Sequence, residues 1–107
     1  MRSIRWRPMA ALGFLLTTAA GAWAQAPQTP LHLRALAATC ASCHGTDGRA
    51  VDATGSVALQ GLGRDYIVQQ MTAFRSGTRP ATVMHQLAKG YTPEQIEQLA
   101  AYFAAQK

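Results

Sequence analysis

The sequence predicts a small all-α domain. Apolar residues recur at spacings of three and four, as on one face of a helix, and no segment shows the alternation of a half-buried strand. Proline and glycine stand where helices would begin and end. Once a removable leader is discounted, 83 residues remain, a length at which an apolar core alone is marginal and a buried prosthetic group would help.

The leader is read over residues 1–24. Arg2, Arg5 and Arg7 make a basic start, residues 9–16 are almost wholly apolar, and Ala22-Trp23-Ala24 offers a small-residue cleavage site. This is the layout of a secretory signal peptide. The apolar stretch falls short of the roughly 20 residues of a membrane span, which speaks against an uncleaved anchor. The leader holds no Arg-Arg pair, which favours export of the unfolded chain with any cofactor attached afterwards. The expected organisation is therefore a signal peptide at 1–24, one domain at 25–107, a periplasmic address and no membrane insertion after cleavage. Both tryptophans, Trp6 and Trp23, would leave with the leader.

In the remaining domain, residues 25–29 read as a flexible lead-in. The first helix is expected to take Thr29 as N-cap and Pro30 as its first residue, with Leu33, Leu36, Ala37 and Cys40 at helical spacing. Ala35, Ala37 and Ala38 would let another helix cross closely. Residues 45–63 form a loop with five glycines, whose apolar Val57-Ala58-Leu59 is expected to face a flat ligand. A second helix is expected over 65–76, closed by Gly77, with Ile67, Met71 and Phe74 on its inner face and Tyr66 beside them. Arg79-Pro80 breaks the chain, and residues 81–89 make a short segment that could be helical, closed by Gly90. The last helix is the best marked: Thr92 as N-cap, Pro93 next, Gln95 completing a capping box, and Ile96, Leu99, Ala100 and Phe103 as its apolar stripe, with Tyr102 alongside.

Charge excludes one class of partner. The whole chain carries +5, but three of its ten basic residues lie in the leader, and the seven left against five acids make +2. That is too mild for nucleic-acid binding.

Cys40-Ala41-Ser42-Cys43-His44 carries the chemistry. Two thiols three residues apart, followed at once by an imidazole, match the attachment signature of c-type haem. Each thiol adds to one porphyrin vinyl group, and one helical turn holds the two sulfurs a porphyrin edge apart. The histidine then supplies an axial nitrogen to the iron. A dithiol redox site would want a thioredoxin-like strand–helix context, which is missing. A zinc site would want four ligands, and His32 and His85 are poorly spaced for it. A plain Cys40–Cys43 disulfide is conceivable outside the cytoplasm but gives His44 no role.

Iron held by His44 has a second axial position. Met71 and Met84 are the candidates left after the leader. Met71 sits in an apolar stripe, where core packing is the default. Met84 follows the proline break just before the last helix, and it is the chosen sixth ligand. His85 could ligate instead, although a surface position turned away is its plainer reading. An open sixth site would point to gas binding or sensing. Arg79 and Arg75 are candidate contacts for the haem propionates, against solvated charges at a helix end. Tyr91 is a further candidate, or simply core.

At this point the sequence resembles the class I c-type cytochromes over essentially all of residues 25–107. The resemblance rests on LAATCASCHGTDG, LQGLGRDYIVQQMTAFRSGTRP and ATVMHQLAKGYTPEQIEQLAAYFAAQ. The last two stretches are similar to the cytochrome subunits of flavocytochrome c sulfide dehydrogenases, and to one half of the related dihaem cytochromes. The resemblance implies a small helical fold wrapped around one covalent haem c, with the first and last helices crossing. It implies Cys40 and Cys43 as thioether positions, His44 as proximal ligand and Met84 as distal ligand. Many relatives carry proline two residues before the leucine matching Leu59, and its carbonyl receives the proximal histidine's hydrogen bond. Val57 stands there in this chain, and any residue offers a carbonyl.

The function so implied is one-electron transfer by a carrier that is not an enzyme by itself. A flavoprotein (FAD) subunit oxidising sulfide would be the donor, with a separate downstream acceptor. A free soluble shuttle serving a terminal oxidase or reductase is the alternative, and a haem-based sensor a third reading. No Ser/His/Asp set, carboxylate pair or phosphate loop suggests hydrolytic or transferase chemistry.

Overall fold

The structure, a computed structural model, describes residues 29–51 and 55–107. The expected leader, most of the lead-in and Asp52 lie outside the described residues. These contain five α-helices and no strand: α1 (Leu31–Ala38), α2 (Ala41–His44), α3 (Arg64–Ser76), α4 (Met84–Leu87) and α5 (Pro93–Ala104). Single 3-10 turns follow α2 at Thr46–Gly48 and α4 at Ala88–Gly90.

α1 starts one residue later than expected. Pro30, in an extended conformation (ψ 139°), is the N-cap, and Thr29 makes no cap. The Pro30 carbonyl accepts from the amides of Leu33 and Arg34 at 3.0 and 3.1 Å, so the proline opens the helix from outside it. α3 begins at Arg64 and stops at Gly77, which adopts the left-handed conformation (φ 79°). The Ala73 carbonyl in its last turn accepts from the Arg79 amide at 3.2 Å and from the hydroxyls of Ser76 and Thr78 at 3.2 and 3.3 Å. α5 has the expected capping box. The Gln95 amide donates to Thr92 Oγ1 at 3.2 Å, and the Thr92 amide donates to Gln95 Oε1 at 2.9 Å. A cap of this kind is worth about 1 kcal/mol.

The core is small. Ala37 of α1, Ile67 of α3, and Leu99, Ala100 and Phe103 of α5 are buried together. Leu36, Cys40, Leu59, Leu62, Val68, Met71, Tyr91 and Tyr102 pack around them, half-buried. α1 and α5 come together with Ala37 and Ala100 both buried in the core they share. Met71 packs half-buried against this core, as its stripe suggests. Tyr66 is half exposed, because one residue turns about 100° round a helix away from Ile67. α5 also packs along α3, and the Arg64 guanidinium reaches Glu97 at 2.5 Å across that interface. The pair is largely exposed and adds at most about 1 kcal/mol.

Candidate haem-attachment site

α1 delivers the chain directly into α2. Thr39 closes α1, and its hydroxyl donates to the Leu36 carbonyl at 2.7 Å. With its only proton spent there, Thr39 Oγ1 accepts from the Tyr91 hydroxyl at 2.7 Å. Tyr91 thus ties the segment before α5 to the start of the cysteine motif, its single proton given to Thr39.

Cys40 and Cys43 occupy one helical turn, with the His44 amide donating to the Cys40 carbonyl at 2.9 Å. Both thiols are free. Burial raises the Cys40 thiol above its ordinary pKa, and the neighbouring Thr39 and Tyr91 hydroxyls partly oppose that. Cys43 is exposed. The zinc reading finds no support, since no group of three or more His, Cys, Asp or Glu side chains gathers among the described residues.

His44 lies 2.6 Å from the Val57 carbonyl oxygen through its Nδ1. A carbonyl only accepts, so Nδ1 is the protonated nitrogen and Nε2 keeps its lone pair free to bind a metal. The bond survives the replacement of proline by valine, because it uses only the backbone oxygen.

The loop between His44 and Val57 is held by close backbone contacts. Gly45 adopts φ 77°, and a Cβ there would lie 1.9 Å from the Arg49 carbonyl oxygen. A Cβ on Gly48 would lie 2.9 Å from each of Leu59 Cβ, Phe103 Cδ1 and the Gln60 amide nitrogen. The Gly48 carbonyl accepts from the amides of Leu59 and Gln60 at 2.9 and 3.2 Å. Gly48 thus holds the segment at Leu59 and Gln60, and the Val57 carbonyl reaches the imidazole.

Met84 opens α4, half-buried, on a helix that packs against α3. Its neighbour His85 is not the surface side chain expected. It is half-buried, and its Nδ1 is fully shielded without a hydrogen-bond partner. Arg79 stacks its guanidinium 4.6 Å above the Phe74 ring and donates to the Gln70 side-chain oxygen. Arg75 is exposed in the last turn of α3.

The donor set, two free thiols one turn apart and an imidazole with its outer nitrogen available, fits a covalently held haem. Comparison with known proteins agrees. The cytochrome c family model matches residues 34–107. The chain is 40% identical over 91 residues to the cytochrome subunit of sulfide dehydrogenase of Chlorobaculum tepidum, covering 85% of this chain and 81% of that protein. It is 35% identical to the thiosulfate dehydrogenase electron acceptor of Thiomonas intermedia, covering 92% of this chain but 42% of that protein. Among solved structures, cytochrome c4 of Acidithiobacillus ferrooxidans superposes with a TM-score of 0.57 at 41% identity, covering 62% of this chain and 38% of that one. The chain thus spans most of the first relative and under half of the other two. The chain belongs to the cytochrome c family, whose members carry covalent haem c and transfer electrons.

Proposed function

We propose that this chain takes electrons from a flavoprotein dehydrogenase through one haem c held between His44 and Met84, and hands them to a downstream acceptor in the periplasm. The observation that carries the reading is the 2.6 Å bond from His44 Nδ1 to the Val57 carbonyl, which leaves Nε2 as the ligand nitrogen. Cys40 and Cys43 are the thioether positions in this reading. A haem held this way supplies reversible one-electron exchange. The chain's own residues hold it, orient the imidazole and keep water away from it. Val57, Val83 and Leu87 are 66%, 46% and 48% exposed and would offer apolar cover on the two sides. Arg79 has N–H donors beyond the one given to Gln70, so it remains a propionate contact in this reading.

The flavoprotein partner and sulfide as its substrate follow from similarity to the sulfide dehydrogenase subunit. The periplasmic address rests on the basic and apolar pattern of residues 1–24 and the small-residue site Ala22-Trp23-Ala24 that ends it. Among the described residues no helix is long and apolar enough to cross a membrane. The alternative of a free shuttle has its own support in relatives named as electron acceptors.

The test is a pull-down of the tagged mature protein from native periplasm, with flavin absorbance read in the eluate. A flavin spectrum in fixed ratio to haem is expected. A haem-only eluate, with a monomeric protein whose reaction rates fall steeply with salt, would replace the subunit reading by the shuttle. For the distal ligand, Met84→Ala is expected to lose the weak red-end band of sulfur–iron(III) ligation and to gain carbon monoxide binding when reduced. Persistence of the band would remove Met84 from the site and turn attention to Met71.

A further inference from the structure

Asp47 is the one non-glycine residue with positive φ among the described residues, at φ 55° and ψ 25°. Asp and Asn tolerate this left-handed conformation better than other side chains, but it persists only where the surroundings hold it. Here the surroundings do. The Tyr102 hydroxyl donates to Asp47 Oδ1 at 2.5 Å, and the Arg49 guanidinium donates to Oδ2 at 3.3 Å. Arg49 also donates to the Lys107 carbonyl at 2.8 Å. The strained turn is thus pinned to the end of α5.

What hangs from that turn is the acceptor of the proximal histidine. Gly48, the next residue, receives the Leu59 amide on its carbonyl at 2.9 Å. Two residues before Leu59, Val57 receives His44 Nδ1. α5 holds the other end as well, since the Phe103 carbonyl accepts from the Gly61 amide at 2.9 Å. His44, the 46–48 turn, Leu59 and Val57 therefore form a closed ring of backbone and hydrogen bonds, and Tyr102 grips that ring from outside.

We propose that Tyr102 and Asp47 are positioning residues for the proximal histidine, their phenol–carboxylate bond fixing the 46–48 turn and, through Gly48 and Leu59, the reach of the Val57 carbonyl to His44. The proposal rests on His44 as the proximal ligand. A firm bond at Nδ1 makes the imidazole more basic and favours ferric iron. Loosening it favours the ferrous state.

The experiment uses the mature haem-loaded protein with Tyr102→Phe, Asp47→Gly and Asp47→Asn. Tyr102→Phe removes the hydroxyl without changing charge. Asp47→Gly removes the carboxylate while suiting the left-handed backbone. Asp47→Asn removes the charge but keeps an acceptor for Tyr102. In redox titration, Tyr102→Phe and Asp47→Gly are expected to raise the ferrous-to-ferric ratio at fixed ambient potential by about three- to tenfold, tenfold being about 59 mV for a one-electron couple. Exchange of the His44 Nδ1 proton, followed by NMR, is expected to quicken about tenfold, with the sulfur–iron band unchanged. Asp47→Asn should stay within about twofold of wild type, as a conservative rescue. An Asp47→Asn shift equal to that of Asp47→Gly would make the effect one of charge and overturn the proposal. So would a Tyr102→Phe protein that unfolds at lower temperature with ratio and exchange unmoved. Should Tyr102→Phe not fold, the two Asp47 variants decide between the same outcomes by the same two readouts. A wild-type protein without a low-spin His/Met spectrum would overturn the ligand assignment and the positioning role together, before any variant is read.

Discussion

The two sides of the site are built in different ways. Beneath His44, the loop is clamped by backbone: Gly45 and Gly48 have no room for a Cβ, the Gly48 carbonyl holds Leu59 and Gln60, and α5 grips the loop at Asp47 and Gly61. Around Met84, the support is a short turn laid against α3. α4 is one turn long with no side-chain cap, and a Cβ on Gly90 just beyond it would meet nothing within 4 Å. The difference teaches where specificity of geometry is stored. An imidazole needs its ring oriented and its far nitrogen hydrogen-bonded, which demands a rigid acceptor. A thioether on a flexible stem adapts to the position of its partner, and a short turn suffices to carry it.

Alanine at two glycines probes this contrast most strongly. Gly45→Ala is expected to destabilise the mature protein by more than about 3 kcal/mol, or to prevent its maturation, since a Cβ 1.9 Å from the Arg49 carbonyl oxygen forces the backbone apart. Gly90→Ala on the distal side is expected to be neutral or to stabilise by up to about 1 kcal/mol, because the position has open space and no left-handed φ. Denaturant unfolding of the haem-loaded proteins measures both. Equal costs at the two sites would erase the distinction between them.

Phe103 sharpens the proximal half. Among the described residues it is the largest fully buried side chain, and its ring edge closes over Gly48. Phe103→Ala is expected to cost about 3–5 kcal/mol, and to disturb the His44 side before the Met84 side. Loss of the Nδ1–carbonyl bond by NMR at a denaturant concentration where the sulfur–iron band persists would be its sign. Thr92→Ala, by contrast, removes the capping box at the start of α5, on the distal approach. It is expected to cost about 1 kcal/mol by the same unfolding measurement, with the Soret and red-end bands unchanged.

Which of these features are legible in the sequence follows from the range of the interactions. The capping box of α5 and the Gly77 stop of α3 are set by residues within a few positions, and they stand where the sequence puts them. The bond from His44 to the Val57 carbonyl is implied by family resemblance, and needs only a backbone oxygen at the right place. Pro30 rather than Thr29 caps α1 because an extended proline leaves its carbonyl to open the helix, a choice of ψ that propensity does not decide. The left-handed turn at Asp47 is hidden. Its reason is a tyrosine 55 residues away, and nothing in the local string Gly-Thr-Asp-Gly announces that partner. The bond from Tyr91 to Thr39, 52 residues apart, is hidden for the same reason, and so is the half-buried ring of His85.

The smallest expected effect tests the grip on the proximal loop through pH. The Tyr102 phenol is pushed above its ordinary pKa of 10.0, first by its hydrogen bond to Asp47, then by desolvation and by the carboxylate's charge, with Arg34 and Arg49 pulling the other way. The folded state therefore favours the neutral phenol more than the unfolded chain does. Its contribution to stability is fully present below the unfolded value and disappears as pH rises through the higher folded one. The difference in unfolding free energy between wild type and Tyr102→Phe should accordingly hold constant from neutral pH to just below 10 and shrink above it. Absorbance of tyrosinate should show a late Tyr102 step in wild type, and that step should be missing from the Phe variant. A gap that persists unchanged far into the alkaline range would mean that the hydroxyl contributes by packing, and that Asp47 is held by Arg49 alone.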